Sequence, residues 1–205
     1  MKNVLITGAT GGIGNALVQK FHFEGYNVCA SGTSSKKLKL LSEKYLDRLL
    51  CVQCDLADKN QVENLVKKAN EEFGQTDILI NNAGITRDNL FMRMKAVEWN
   101  EVINLNLNSN FIITKLIIKD MLKKKWGRII NISSDAAKIG NPGQSNYVAS
   151  KSAIEGLTRT LANEVASRGI TVNCVAPGFV NTEILNSIEK SRLESMIQKV
   201  PVGRI

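Results

Sequence analysis

The sequence predicts an α/β fold in which a doubly wound parallel sheet is covered on both faces by helices, giving three layers, α/β/α. Three observations carry this. Short apolar runs recur along the 205 residues, they alternate with amphipathic stretches long enough for crossover helices, and the first run opens into a glycine-rich turn. One domain over 1–205 is expected, because the length supports one substantial core and no linker, repeat or low-complexity tract interrupts the pattern.

Six strands are expected, at 3–7, 27–31, 49–54, 77–81, 128–132 and 171–176. Each is short and nearly continuous in apolar character, the mark of strands buried on both faces. The helices rest on four-residue rows: Ile13, Leu17 and Phe21 in the first, and Ala149, Ala153, Leu157 and Leu161 in one spanning 146–166. The stretch from Trp99 to Leu122 carries Val102, Leu105, Phe111, Ile112, Leu116 and Ile117 on more than one side. This predicts burial against a second surface, a contact between subunits.

Composition excludes several classes. The chain is 43% hydrophobic and 22% charged, as in a soluble globular protein, and its longest apolar runs fall far short of the ~20 residues that cross a bilayer. The amino terminus runs straight into a strand without a secretory apolar region, so a cytoplasmic location is expected. Cys29, Cys51, Cys54 and Cys174 lie in strand-like segments; Cys51 and Cys54 are three apart, which strand alternation sends to opposite faces, and no metal centre is expected. The net charge of +8 attracts acidic partners, while Lys123-Lys124-Lys125 suits a helix C-terminus.

The first strand ends in Thr7-Gly8-Ala9-Thr10-Gly11-Gly12-Ile13-Gly14, and a helix follows. Glycine permits the tight turn and close approach of a pyrophosphate, and the helix's first amides face that anion. The spacing Gly8-x3-Gly12-x-Gly14 resembles the glycine motif of the short-chain dehydrogenase/reductase family, whose members have a Rossmann-type fold. No acidic residue ends the second strand, where NAD enzymes bind the ribose; that place reads Thr33-Ser34-Ser35-Lys36-Lys37, so NADP(H) is expected, with NAD(H) the alternative. The chain departs from many NADP-using members in having Gly11 where they carry a basic residue. The resemblance implies cofactor contacts from Gly8, Thr10, Gly12, Ile13, Gly14 and Thr33, from Asp55 and Leu56 beside adenine, and from Asn82, Ala83 and Gly84.

Tyr147 and Lys151 are four apart on one helix and share a face. A phenol titrates near ~10, so acid–base work near neutrality needs help, and a nearby ammonium favours the phenolate. With Ser134 and Asn106, the pair resembles the family's catalytic set. The resemblance implies proton transfer by Tyr147, polarisation of the substrate oxygen by Ser134, ribose binding by Lys151 and a relay water at Asn106. Pro177, Gly178, Val180 and Thr182 would close over the nicotinamide.

The stretches from Asn81 to Lys95 and from Val165 to Asn173 are similar to those of bacterial 3-oxoacyl-acyl carrier protein reductases, and the likeness runs from the first strand to Arg204. It implies NADPH-dependent reduction of a carrier-bound ketone in fatty acid biosynthesis and assembly as a homotetramer. It also implies docking of the acidic acyl carrier protein on Arg128 and Arg168. Complete members have a further helix and final strand after the position of Arg204, which this sequence does not show. Reduction of a different ketone, or cofactor binding without turnover, stands as the alternative; no nucleic-acid reader motif accompanies the charge.

Overall fold

The computed structural model describes residues 1–181, 197, 198 and 200–204. Six parallel strands form one sheet: β1 (Asn3–Ile6), β2 (Asn27–Gly32), β3 (Leu49–Gln53), β4 (Ile78–Asn81), β5 (Gly127–Ile132) and β6 (Ile170–Val175), in spatial order β3-β2-β1-β4-β5-β6. No boundary departs from its apolar run by more than one residue. The order reverses between β1 and β4, so the chain leaves these neighbours towards opposite sides and opens a crevice at their carboxyl ends.

Strand alternation divides the core in two. Leu5, Leu79, Ile129 and Val172 point into one half, with Val62 and Leu65 of α3 (Lys59–Phe73), Ile113, Ile117 and Met121 of α5 (Ser109–Lys124) and Val165 of α7 (Ser145–Val165). Val4, Ile6, Ile78 and Ile80 point into the other, with Val18 of α1 (Gly12–Phe23) and Leu41 of α2 (Ser35–Ser42). At roughly 1.5–3 kcal/mol for each fully buried aliphatic side chain, these central strands dominate the stability. Two shorter helices, α4 (Ala96–Ile103) and α6 (Ala136–Ile139), complete the set. Among the described residues, no helix is long and apolar enough to cross a membrane.

One expectation needs correction, and three helical segments gain detail. β6 is buried on one face only: Ile170 and Val172 are covered, whereas Thr171, Asn173 and Val175 are exposed. In α1 the deepest residues are Gly14 and Val18, and the row Ile13, Leu17, Phe21 lies half-buried beside them. In α7 the row Ala149, Ala153, Leu157, Leu161 is also peripheral. The buried side carries Asn146, Ser150, Lys151, Ile154 and Thr158, because hydrogen bonds to β5 and neighbouring loops compensate those polar groups. The stretch from Trp99 to Leu122 spans two helices, with a π-helical turn at Asn104–Asn108 between α4 and α5.

Other local readings agree with the structure. α5 ends at Lys124, with Lys125 in the left-handed conformation at its cap (φ 52°). Cys54 and Cys51 enter opposite core halves as free thiols. Phe111 stands about half-exposed on α5, so part of that segment's apolar surface faces outward.

Candidate active site

The turn after β1 is built by steric necessity. Gly8 has φ +63°, and a Cβ there would lie 2.8 Å from Ala83 Cα. A Cβ on Gly14 would come within 2.1 Å of the Gly8 carbonyl oxygen, so helix and turn touch backbone to backbone. The first bond of α1 runs from Asn15 N–H to the Gly11 carbonyl (2.8 Å). The amides of Gly12, Ile13 and Gly14 precede it, and the first turn holds no acidic side chain and no side-chain cap. This cradle fits a pyrophosphate by chemistry and by space.

Around it stand the carboxyl ends of the other strands. Thr10 packs its side chain against Gly32, where a Cβ would sit 2.9 Å from Thr10 Oγ1. The Thr33 carbonyl accepts from Gln53 Nε2 (3.0 Å). Asp55 is exposed and accepts the Ala57 amide in a local turn (2.9 Å), while Leu56 beside it is buried; the cap of α3 is Asp58. After β4, Asn82 Nδ2 donates to the carbonyls of Thr7 (2.9 Å) and Gly8 (3.1 Å), and the Asn82 and Ala83 amides both donate to Thr7 Oγ1. The loop is thereby bolted to the glycine turn.

The same loop reaches α7. A Cβ on Gly84 would lie 3.4 Å from Lys151 Nζ and 3.5 Å from Asn106 Oδ1. The loop is therefore hydrogen-bonded to Thr7 and Gly8 through Asn82 and Ala83 and to Asn106 through Ile85, and Gly84 leaves little space beside Lys151. Lys151 is buried and donates to the Ile132 carbonyl (2.7 Å); burial holds its ammonium down at about 8. Asn106 sits in the π-turn, where its amide brackets Ile85, accepting from the N–H (2.9 Å) and donating to the carbonyl (3.0 Å), and also donates to Ser150 Oγ (3.1 Å). Such irregular turns recur at functional sites.

Tyr147 lies one turn before Lys151, whose Nζ is 5.7 Å from the phenol ring centroid. Its pKa is raised, first by burial; the Asp135 and Asp88 carboxylates raise it further, and a hydrogen bond to Ser134 works in the opposite direction. The Lys151 ammonium, expected to favour the phenolate, does not set the direction of this shift; burial does. A phenol so placed is protonated at neutral pH. Ser134 Oγ donates to Asp135 Oδ1 (3.2 Å) and accepts the Ala136 amide (3.2 Å). Beyond β6, the Pro177 carbonyl accepts from the Asp135 amide (3.0 Å), and a Cβ on Gly178 would lie 3.4 Å from Asp135 Oδ2.

Residues 2–193 match the family described as short chain dehydrogenase. The chain belongs to the short-chain dehydrogenase family. It is 46% identical over 202 residues to the 3-oxoacyl-[acyl-carrier-protein] reductase of Rickettsia typhi, which covers 98% of this chain and 82% of the relative. Identity to the Escherichia coli protein of the same description is 42% over 204 residues, or 100% and 84% of the two chains. The Staphylococcus aureus counterpart is 42% identical over 208 residues, covering 99% and 84%.

As a short-chain dehydrogenase, the chain is an oxidoreductase with its crevice at the carboxyl edge of the sheet. Ser134, Tyr147, Lys151, Asn106 and the glycine turn meet there, and so do Pro177 and Gly178; Val180 follows as an exposed residue. Thr182 lies outside the described residues. Arg128 and Arg168 do not join this group. Arg128 is the second residue of β5 and Arg168 precedes β6, so both occupy the amino edge. Arg128 is engaged there, donating to the carbonyls of Gly127 (2.7 Å) and Gly169 (3.1 Å) with its guanidinium over Trp126. Sequence reading missed Asp135 and Asp88, two carboxylates that act on Tyr147. Asp135 directly follows Ser134 in the chain, which was the available signal.

Proposed function

We propose that this chain reduces 3-oxoacyl groups carried on acyl carrier protein to 3-hydroxyacyl groups, in fatty acid biosynthesis, with NADPH as reductant. The observation that carries the reading is the loop after β4, hydrogen-bonded to the glycine turn at Asn82 and Ala83 and to Asn106 at Ile85, with Gly84 beside Lys151, one helical turn from Tyr147. The relatives at 42–46% identity, each described as a 3-oxoacyl-[acyl-carrier-protein] reductase, supply the substrate class.

A reduced nicotinamide supplies a hydride to the ketone carbon. Gly12, Ile13 and Gly14 would receive its pyrophosphate on their amides, and Gly8, Thr10, Thr33, Asp55, Leu56, Asn82, Ala83 and Gly84 would line the rest of its path. Tyr147 holds its phenolic proton at neutral pH and gives it to the developing alkoxide, while Ser134 turns its hydroxyl towards the same oxygen. Lys151 would hold the ribose hydroxyls of the cofactor, and its buried cation would stabilise the phenolate left on Tyr147. Asn106, braced at Ile85 and beside Lys151, holds a water that restores the proton. Pro177, Gly178 and Val180 would lie over the nicotinamide.

NADPH is favoured over NADH because the segment after β2 supplies hydroxyls and lysines with no carboxylate to repel a 2′-phosphate. Arg128 and Arg168 stand at the amino edge, opposite the crevice, so a carrier docked on them would serve the site of a neighbouring subunit. The exposed side of α5 is the surface for a homotetramer, and the enzyme is cytoplasmic. The test is NADPH oxidation by the purified protein with acetoacetyl-carrier protein, compared with free ketones and with NADH. Preferential turnover of the carrier-linked substrate with NADPH is expected. Equal or better turnover of an unrelated free ketone contradicts the substrate assignment and favours the broader reading as a reductase of another ketone.

A further inference from the structure

Asp135 is the charged residue placed most directly against the reacting centre that the mechanism above does not use. It follows Ser134 at the carboxyl end of β5 and opens α6. Three contacts hold it. Its carboxylate accepts the Ser134 hydroxyl through Oδ1 (3.2 Å), its amide donates to the Pro177 carbonyl (3.0 Å), and its carbonyl accepts the amides of Lys138 (2.9 Å) and Ile139 (3.2 Å). Oδ2 faces Gly178, where a Cβ would stand only 3.4 Å away. The backbone on both sides is thus fixed, and the carboxylate has one covalently adjacent partner, the hydroxyl that must polarise the substrate oxygen.

Two consequences follow from elementary electrostatics. A hydroxyl has one proton, so while Ser134 donates to Asp135 it cannot donate to Tyr147 or to a ketone. A fixed negative charge beside a phenol also disfavours a second negative charge on it. Among the described residues, the charged groups acting near Tyr147 are Asp135 from the start of α6, Asp88 from the loop after β4 and Lys151 from α7 itself; Ser134 adds a neutral hydrogen bond. Asp88 is already engaged, accepting both bonds from Gln144 Nε2 (3.1 and 2.9 Å). Asp135 therefore acts on both halves of the centre, the hydroxyl and the phenol.

We propose that Asp135 is a positioning residue that parks the Ser134 hydroxyl until a ketone oxygen takes it, and that through this hydrogen bond it withholds that hydroxyl from the Tyr147 phenolate. This rests on the reading of Ser134 and Tyr147 as the oxygen-binding pair. Asp135→Asn removes the charge and keeps the shape and an acceptor oxygen. The pH at which kcat/KM for reduction falls on the alkaline side should then move down by about half a unit to one unit. The rising limb for oxidation of the 3-hydroxy product should move down equally, because both report the same phenol.

Phenol titration provides a readout without turnover. Tyrosinate absorbance of the cofactor-free protein minus that of Tyr147→Phe gives the Tyr147 titration, and the same difference in an Asp135→Asn background should show it at lower pH. Asp135→Ala serves as a second variant, and melting temperature and NADPH affinity check that each variant is folded. An unchanged Tyr147 titration in both folded variants overturns the proposal, whatever the substrate. A shifted titration with no reduction of any 3-oxoacyl carrier substrate by the unmodified protein supports the role of Asp135 while sinking the proposed function.

Discussion

Replacing Gly14 by alanine isolates the backbone contact that builds the cofactor cradle. The added Cβ would stand 2.1 Å from the Gly8 carbonyl oxygen and 2.8 Å from Ala9 Cα, where ordinary contact begins near 3.4 Å, so the turn must open by more than an ångström. Neither neighbour is a flexible side chain that can swing away. Overpacking of this kind costs about 1–3 kcal/mol, which for a chain of this size corresponds to roughly 3–10 °C in melting temperature. The opening also displaces the amides of Gly12 and Ile13, so NADPH affinity should fall by a factor of about 5–150 if a similar energy is needed to close the cradle. Gly11→Ala is the internal control. Gly11 has φ −84°, and its Cβ would meet only the Gly8 oxygen at 3.6 Å, so the change should cost only the preference of a helix N-cap for glycine over alanine, roughly 0.5–1 kcal/mol, and leave NADPH affinity unchanged. Thermal melts and fluorescence titration with NADPH measure both effects. Equal behaviour of the two variants would refute the claim that helix and turn meet backbone to backbone at Gly14.

Two further outcomes follow from the electrostatics. Burial lowers the Lys151 pKa to about 8 from 10.5. Between those values the unfolded chain binds the extra proton, so this residue's contribution to stability rises as pH increases from about 8 towards 10.5. Melts of the cofactor-free protein should accordingly show Lys151→Met at its greatest relative advantage near pH 7 and losing it by pH 10; a pH-independent difference contradicts the buried cation. On the amino edge, Arg128→Glu breaks two hydrogen bonds and the stacking on Trp126, so it should lower the melting temperature, whereas Arg168→Glu should not. If that edge receives the carrier, Arg168→Glu raises KM for a carrier-linked ketone and leaves a free thioester unaffected; an unchanged KM for both removes the docking assignment.

Much of this architecture is legible in the sequence because parallel strands buried on both faces carry a continuous apolar signal, and each was bounded to within a residue. The glycine turn was equally plain, since only glycine fits at Gly8 and Gly14. Periodicity failed where polar groups are buried. The inward side of α7 carries Asn146, Ser150, Lys151 and Thr158, which a hydrophobic pattern assigns to solvent; hydrogen bonds such as Asn131 Nδ2 to Thr158 Oγ1 (2.9 Å) and Asn146 Nδ2 to the Arg87 carbonyl (3.0 Å) are long-range and leave no local trace. The π-turn at Asn104–Asn108 was hidden for the same reason, because the Asn106 amide bracketing Ile85 involves residues 21 apart. Spacing could place Lys151 near Tyr147, yet only three-dimensional burial reveals that the phenol's pKa is raised.

The most direct test of the central claim is Tyr147→Phe, which deletes one oxygen and leaves the ring that packs beside Lys151. Measured together, NADPH affinity and the rate of NADPH oxidation with acetoacetyl-carrier protein separate cradle from chemistry. The account expects affinity within a few-fold of the unmodified protein and a rate lower by at least about 100-fold, the usual size of a lost acid–base group. Turnover close to normal in the folded variant would contradict it.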